Sequence, residues 1–295
     1  MILTLALALT SALAYGVSDF FGAVGARRLR VLPGTTITYV IAFLTLLVAL
    51  PIVGGAWSGE TVLWGALAGV VAILGFLTFY AALAAGPISL AAPLIAVLGS
   101  LVPVVVAVVL GERLTPIAWV AVVVALAGAG LISVTRPGAQ ASIPRKTIVL
   151  GVLAGVMLGL SIVFLDRAPQ DSGVTSAVVE ISVGVLLLGV LLLVVRLPVG
   201  RRLLGMLDEP QEGPQPTLAR ARLASAVGGV LLGCANAFLL AALQSGSLAV
   251  VSVLVGLYPV ATIVLARFVH HERLTRVQLA GVLLAIAACA LLAVA

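Results

Sequence analysis

A chain of 295 residues that is 63% hydrophobic and 9% charged, with a mean hydropathy of +1.32, is far more apolar than the core of a soluble domain of this size requires. That composition excludes a soluble globular fold and leaves no room for a soluble catalytic domain. The net charge of +6 suits contact with anionic lipid and gives no reason to infer nucleic-acid binding.

Ten apolar runs fill the chain, at about 2–24, 34–53, 61–85, 88–110, 115–134, 147–165, 173–195, 221–244, 247–269 and 275–294. Each is close to the roughly 20 residues that cross a hydrocarbon core about 30 Å thick, so an all-α membrane protein with ten transmembrane helices is predicted. The first run opens with MILTLALALTSALA, which lacks the basic n-region of a signal peptide and is read as a span. Within it Ser11, Tyr15, Ser18, Asp19 and Gly22 recur at spacings of three and four and share one helical face. Asp19 precedes Arg27 by eight residues, about 12 Å of helix, which is beyond the reach of its short side chain. An intramembrane carboxylate costs roughly 2.5 to 3.5 kcal/mol on insertion scales and needs a partner, a proton or water. Either Asp19 lines a cavity and binds a proton or a cationic substrate group, or it is held neutral or hydrogen-bonded by a neighbouring helix.

The third span carries Tyr80, a candidate aromatic wall or an interfacial residue. The fourth, SLAAPLIAVLGSLVPVVVAVV, holds Pro93, Gly99 and Pro103 and is expected to kink or open near mid-membrane. LGERLT at 110–115 then puts Glu112 at a turn, pairing with Arg113 or with exposed backbone amides, and Thr115 in position to cap the fifth span. TRPGAQASIPRK, 135–146, is a linker. Ser161 lies in the sixth span and Glu180 in the seventh, where it is a pathway candidate or an acid paired with a hydroxyl. The Pro- and Gly-rich loop 196–222 reads as a flexible linker. In the eighth span Asn236 is either a pathway residue or interhelical glue. The ninth holds Tyr258 beside Gly256 and Pro259, a second predicted opening, and ends at HHERLT, whose histidines His270 and His271 are read as interfacial. Cys234 and Cys289 read as packing residues.

Compared with itself, the chain repeats at an offset of 160: LGERLT at 110–115 matches HHERLT at 270–275, and AALAAG at 81–86 matches AALQSG at 241–246. YGVS at 15–18 and LGLS at 158–161 match more loosely. The chain therefore divides into two five-helix repeats, 1–140 and 141–295. Because five is odd, the second repeat enters the membrane from the opposite side. Inverted repeats of this kind place a site at their interface that can open alternately to either face, the geometry of a secondary transporter.

The span order and the paired Glu-Arg-Leu-Thr motifs resemble the EamA family of the drug/metabolite transporter (DMT) superfamily, over essentially the whole chain. The resemblance implies ten helices in two repeats and transport of a small metabolite, with the site between the halves. Pro259 meets the family's proline in span nine, whereas the equivalent position of the first half is Gly99. Lys and Arg counts oppose the orientation that the resemblance implies. Fourteen lie on the side of the loops after odd-numbered spans and two, Arg113 and Arg167, on the other, which places both termini outside the cytoplasm.

The sequence thus predicts a multi-pass transporter of the plasma (inner) membrane, moving an amino acid, another amphipathic metabolite or an organic cation, with protons as candidate coupling ion. A passive channel or a lipid scramblase is the alternative. Tyr15, Ser18, Asp19, Tyr80, Ser161, Glu180, Asn236 and Tyr258 are the candidate pathway residues. No catalytic set, metal cluster or cofactor motif is present in the sequence, and oligomeric state is left open.

Overall fold

The computed structural model describes residues 2–85, 88–133, 145–198, 200, 216–270 and 275–294. His271, Glu272, Arg273, nearly all of the linker between the halves and most of the loop after span seven lie outside the described residues, as do the side chains of Tyr80, Pro93 and His270. In lipid every backbone amide and carbonyl must be satisfied within the segment, so the apolar runs fold as helices. Among the described residues these are α1 (Ile2–Leu29), α2 (Val31–Val53), α3 (Gly59–Ala85), α4 (Ile88–Val109), α5 (Pro116–Ser133), α6 (Arg145–Asp166), α7 (Thr175–Val194), α8 (Leu218–Ser245), α9 (Leu248–Val255), α10 (Tyr258–His270) and α11 (Arg276–Val294). Six are long and apolar enough to cross a membrane, and four shorter apolar stretches, among them Leu248–Thr262 across the α9–α10 break, supply the other spans.

Local chemistry sets the helix starts. The Thr115 hydroxyl accepts from the Ala118 amide at 3.1 Å and caps α5. Ahead of α11, Thr275 and Gln278 form a reciprocal capping box, with the Thr275 amide donating to Gln278 Oε1 at 3.0 Å and the Gln278 amide to Thr275 Oγ1 at 3.2 Å. Glu112 reaches from the α4–α5 turn to α9. Its carboxylate accepts from the Leu248 amide at 3.0 Å and from the Ser247 hydroxyl at 2.6 Å. This satisfies amides that begin α9 and sets a negative charge at the positive end of its dipole. The glutamate is a structural cap on another helix, as its place in a turn suggested.

Helix packing obeys an exchange of the two halves. α1 packs along α8 as α6 packs along α3, α2 meets α8 as α7 meets α3, and α4 meets α6 as α9 and α10 meet α1. The pairs α2 with α7, α4 with α9, and α5 with α11 map onto themselves. The equivalence reaches single atoms. Ser18 Oγ donates to the Gly228 carbonyl at 2.8 Å, and Ser161 Oγ to the Ala68 carbonyl at 3.2 Å. A Cβ on Gly229 would lie 2.6 Å from the Thr38 carbonyl, and one on Gly69 would lie 2.6 Å from the Glu180 carbonyl. Small residues at these crossings let the helices approach closely, which substitutes for a hydrophobic drive between helices in lipid.

The two predicted openings differ. Span nine divides at Gly256–Leu257 into α9 and α10, because Pro259 has no amide with which to satisfy the Val255 carbonyl. α4, in contrast, is one helix from Ile88 to Val109, through Pro93, Gly99 and Pro103, and the expected opening there does not occur. Its mid-region is buttressed instead. The backbone around Ile95 and Gly99 lies against Gly155 and Gly159 of α6, where an added Cβ would stand 3.1 Å from the Ile95 carbonyl and 3.0 Å from the Gly99 carbonyl.

Candidate functional site

Between the halves lies a cavity of about 580 Å³. α1 contributes Tyr15, Ser18 and Asp19, the very face on which polar residues recur at three- and four-residue spacing. From the second half come Ser161 of α6, Glu180 of α7, Asn236 of α8 and Tyr258 of α10. Seven of the eight predicted pathway residues thus share one cavity, and the eighth, Tyr80, has its side chain outside the described residues.

The two carboxylates are held differently. Asp19 is exposed, on the cavity wall, and makes no hydrogen bond or ion pair to a described residue. Glu180 is 8% exposed; its Oε1 accepts from Ser161 Oγ at 3.1 Å, whereas its buried Oε2 has no partner among the described residues. Several of the polar groups around them are committed to protein acceptors. Tyr15 donates to Asn236 Oδ1 at 3.0 Å, Asn236 Nδ2 to the Leu232 carbonyl at 3.0 Å, and Thr262 to the Gly16 carbonyl at 2.9 Å.

The sequence reading missed Thr35, Thr38 and Tyr39 of α2 and the rings of Phe76 and Phe79 of α3, which complete the wall. A signal existed for the first group: Thr35, Thr38 and Tyr39 repeat the three- and four-residue polar spacing of α1 inside an otherwise apolar span. The phenylalanines carried none, since an aromatic in an apolar helix looks the same facing lipid or cavity.

The cavity has one closed end. On that side the Ala56 amide donates to the Asp171 carbonyl at 2.8 Å and the Val174 amide to the Gly54 carbonyl at 3.2 Å, joining the α2–α3 and α6–α7 turns. Gln244, near the end of α8, donates to the Gly173 carbonyl at 3.0 Å. α8 therefore touches α6 and α7 there. By the exchange of halves, the equivalent contact at the opposite face would join α3 to α1 and α2, yet among the described residues α3 makes no comparable contact with either. Instead Ala26, Thr35 and Phe79, at those helix ends, line the cavity as it runs toward that face.

A family model for the EamA-like transporter family matches residues 2–134 and 145–294, one copy on each half. The chain belongs to the EamA-like transporter family. EamA-like proteins are DMT-type membrane transporters rather than enzymes, and this one is an integral multi-pass membrane protein with two repeats. A search of curated proteins finds no match. One crystal structure of a protein aligns with TM-score 0.72 over 99% of this chain and 96% of its own, at 19% identity, a similarity that supports the EamA-type fold alone.

Proposed function

We propose that this protein is a secondary transporter that carries a small metabolite through the cavity between its halves by alternating access. Residues 1–140 and 141–295 are the two moving repeats, and Asp19 is the group that binds substrate or a coupling proton. The observation that carries the reading is an asymmetry in a symmetric packing scheme: one face is bonded shut at Gln244 and Gly173, while among the described residues α3 makes no comparable contact with α1 or α2 at the other. Exchanging the conformations of the two halves would open the first face and close the second. The open face holds the Lys and Arg excess, so the positive-inside rule puts the open mouth in the cytoplasm of a plasma (inner) membrane and both termini outside.

Cysteine accessibility tests this. Ala23→Cys and Thr35→Cys are expected to react with a membrane-impermeant charged thiol reagent from the cytoplasmic side, with Leu44→Cys, on an exposed part of α2, unreactive in lipid. Reaction only from the outer side, or protection of both from water, would sink the proposal.

A further inference from the structure

The cavity can be read by what its wall is able to donate and accept. Its described lining contains two carboxylates, Asp19 and Glu180, and no Lys, Arg or His. The polar hydrogens of Tyr15, Ser18, Ser161 and Thr262 are already given to protein oxygens. What faces a ligand includes a set of acceptors, the Asp19 carboxylate, the unpartnered and deeply buried Oε2 of Glu180 and the lone pairs of those hydroxyls, beside the neutral hydroxyls of Thr35, Tyr39 and Tyr258. Pro259 adds to the set by leaving the Val255 carbonyl, on a residue that lines the cavity, without its usual donor. The Gly256, Leu257 and Val260 amides are bonded to backbone carbonyls, and Pro259 has none. A substrate carboxylate or phosphate would meet two carboxylates and no cation in the described lining, with only neutral hydroxyl donors to set against that repulsion in a low-dielectric site. A ligand ammonium would meet the opposite: charge-assisted acceptors together with the faces of Tyr39, Tyr258, Phe76 and Phe79, which attract cations through the ring quadrupole.

Resting on the transporter reading, we infer that the substrate is an organic monocation, an amine on an apolar body, taken in preference to zwitterions and anions. Asp19 takes the ammonium, and Glu180 supplies the second acceptor. The volume, about 580 Å³, falls in the range of small-molecule sites and admits a ring-bearing amine.

Three probes with the same phenyl body and different charged ends decide it: phenethylammonium, phenylalanine and hydrocinnamate. Binding to the purified full-length protein in detergent is measured by isothermal titration calorimetry, and uptake of each in proteoliposomes. Phenethylammonium is expected to bind about tenfold or more tightly than the other two. Asp19→Asn is expected to lose that preference and Glu180→Gln to weaken it, in samples shown to be folded by size-exclusion profile. Equal or tighter binding of phenylalanine or hydrocinnamate, absence of phenethylammonium binding, or indifference to both substitutions overturns the inference. The two readings fail separately. Selective binding of phenethylammonium with no uptake of it keeps the cation site and removes the transporter, whereas uptake of phenylalanine without phenethylammonium does the reverse.

Discussion

Asp19 and Glu112 show how the same chemistry takes two roles according to what surrounds it. Glu112 spends both oxygens on Ser247, Leu248 and Ala249, so it belongs to the scaffold. Glu112→Ala would leave those amides without their carboxylate and is expected to cost about 1 kcal/mol, as for the loss of a helix cap, seen as a lower apparent melting temperature in detergent. Glu112→Gln, which keeps an acceptor, should lose less, and an equal loss would mean that charge at the helix dipole matters more than the bond. Asp19 spends nothing on the described protein and faces the cavity. Its position was legible because a carboxylate in an apolar run has few places to be. Tyr39 was not singled out, since one tyrosine in an apolar span reads equally well as an interface anchor until its neighbours Thr35 and Thr38 are placed on the same wall.

Among helices, the crossings of α3 with α7 and α8 with α2 rest on glycines. Gly229→Leu would drive side-chain atoms into the Thr38 carbonyl and Ile41, and is expected to abolish the monodisperse size-exclusion peak. Gly189→Ala, where nothing lies within 4 Å of an added Cβ, should leave it unchanged. If both behave alike, close approach is not what fixes these crossings. The break between α9 and α10 was legible from Gly256 and Pro259. The continuity of α4 was not, because a proline within a helix can be absorbed when a neighbour packs against it, here the glycine face of α6, and a single span says nothing of its neighbour. Pro259→Ala should let α9 and α10 merge by restoring a donor to the Val255 carbonyl. The expected result is slower transport, with ligand binding weakened as the Val255 carbonyl is taken up by the helix, and an unchanged transport rate would show that the break is not a hinge.

Across the whole molecule, the inverted repeat was readable from paired motifs 160 residues apart, since repeats leave their trace in sequence. Which face is shut was not readable, because both conformations are built from the same pairs of helices. The bond between Gln244 and Gly173 marks the shut face among the described residues. Bridging Ser172→Cys to Gln244→Cys through disulfides with a short bis-methanethiosulfonate, in a protein with Cys234 and Cys289 replaced by Ala, should stop transport, and reductant should restore it. Undiminished transport with the bridge in place would mean that this face never opens. The most direct test of the central claim is uptake of a panel of amino acids and organic cations by proteoliposomes of wild-type and Asp19→Asn protein, with and without an imposed pH gradient. Gradient-driven uptake in the wild type that is lost in Asp19→Asn is the predicted result. Identical uptake by the two proteins would contradict it and make Asp19 a packing residue.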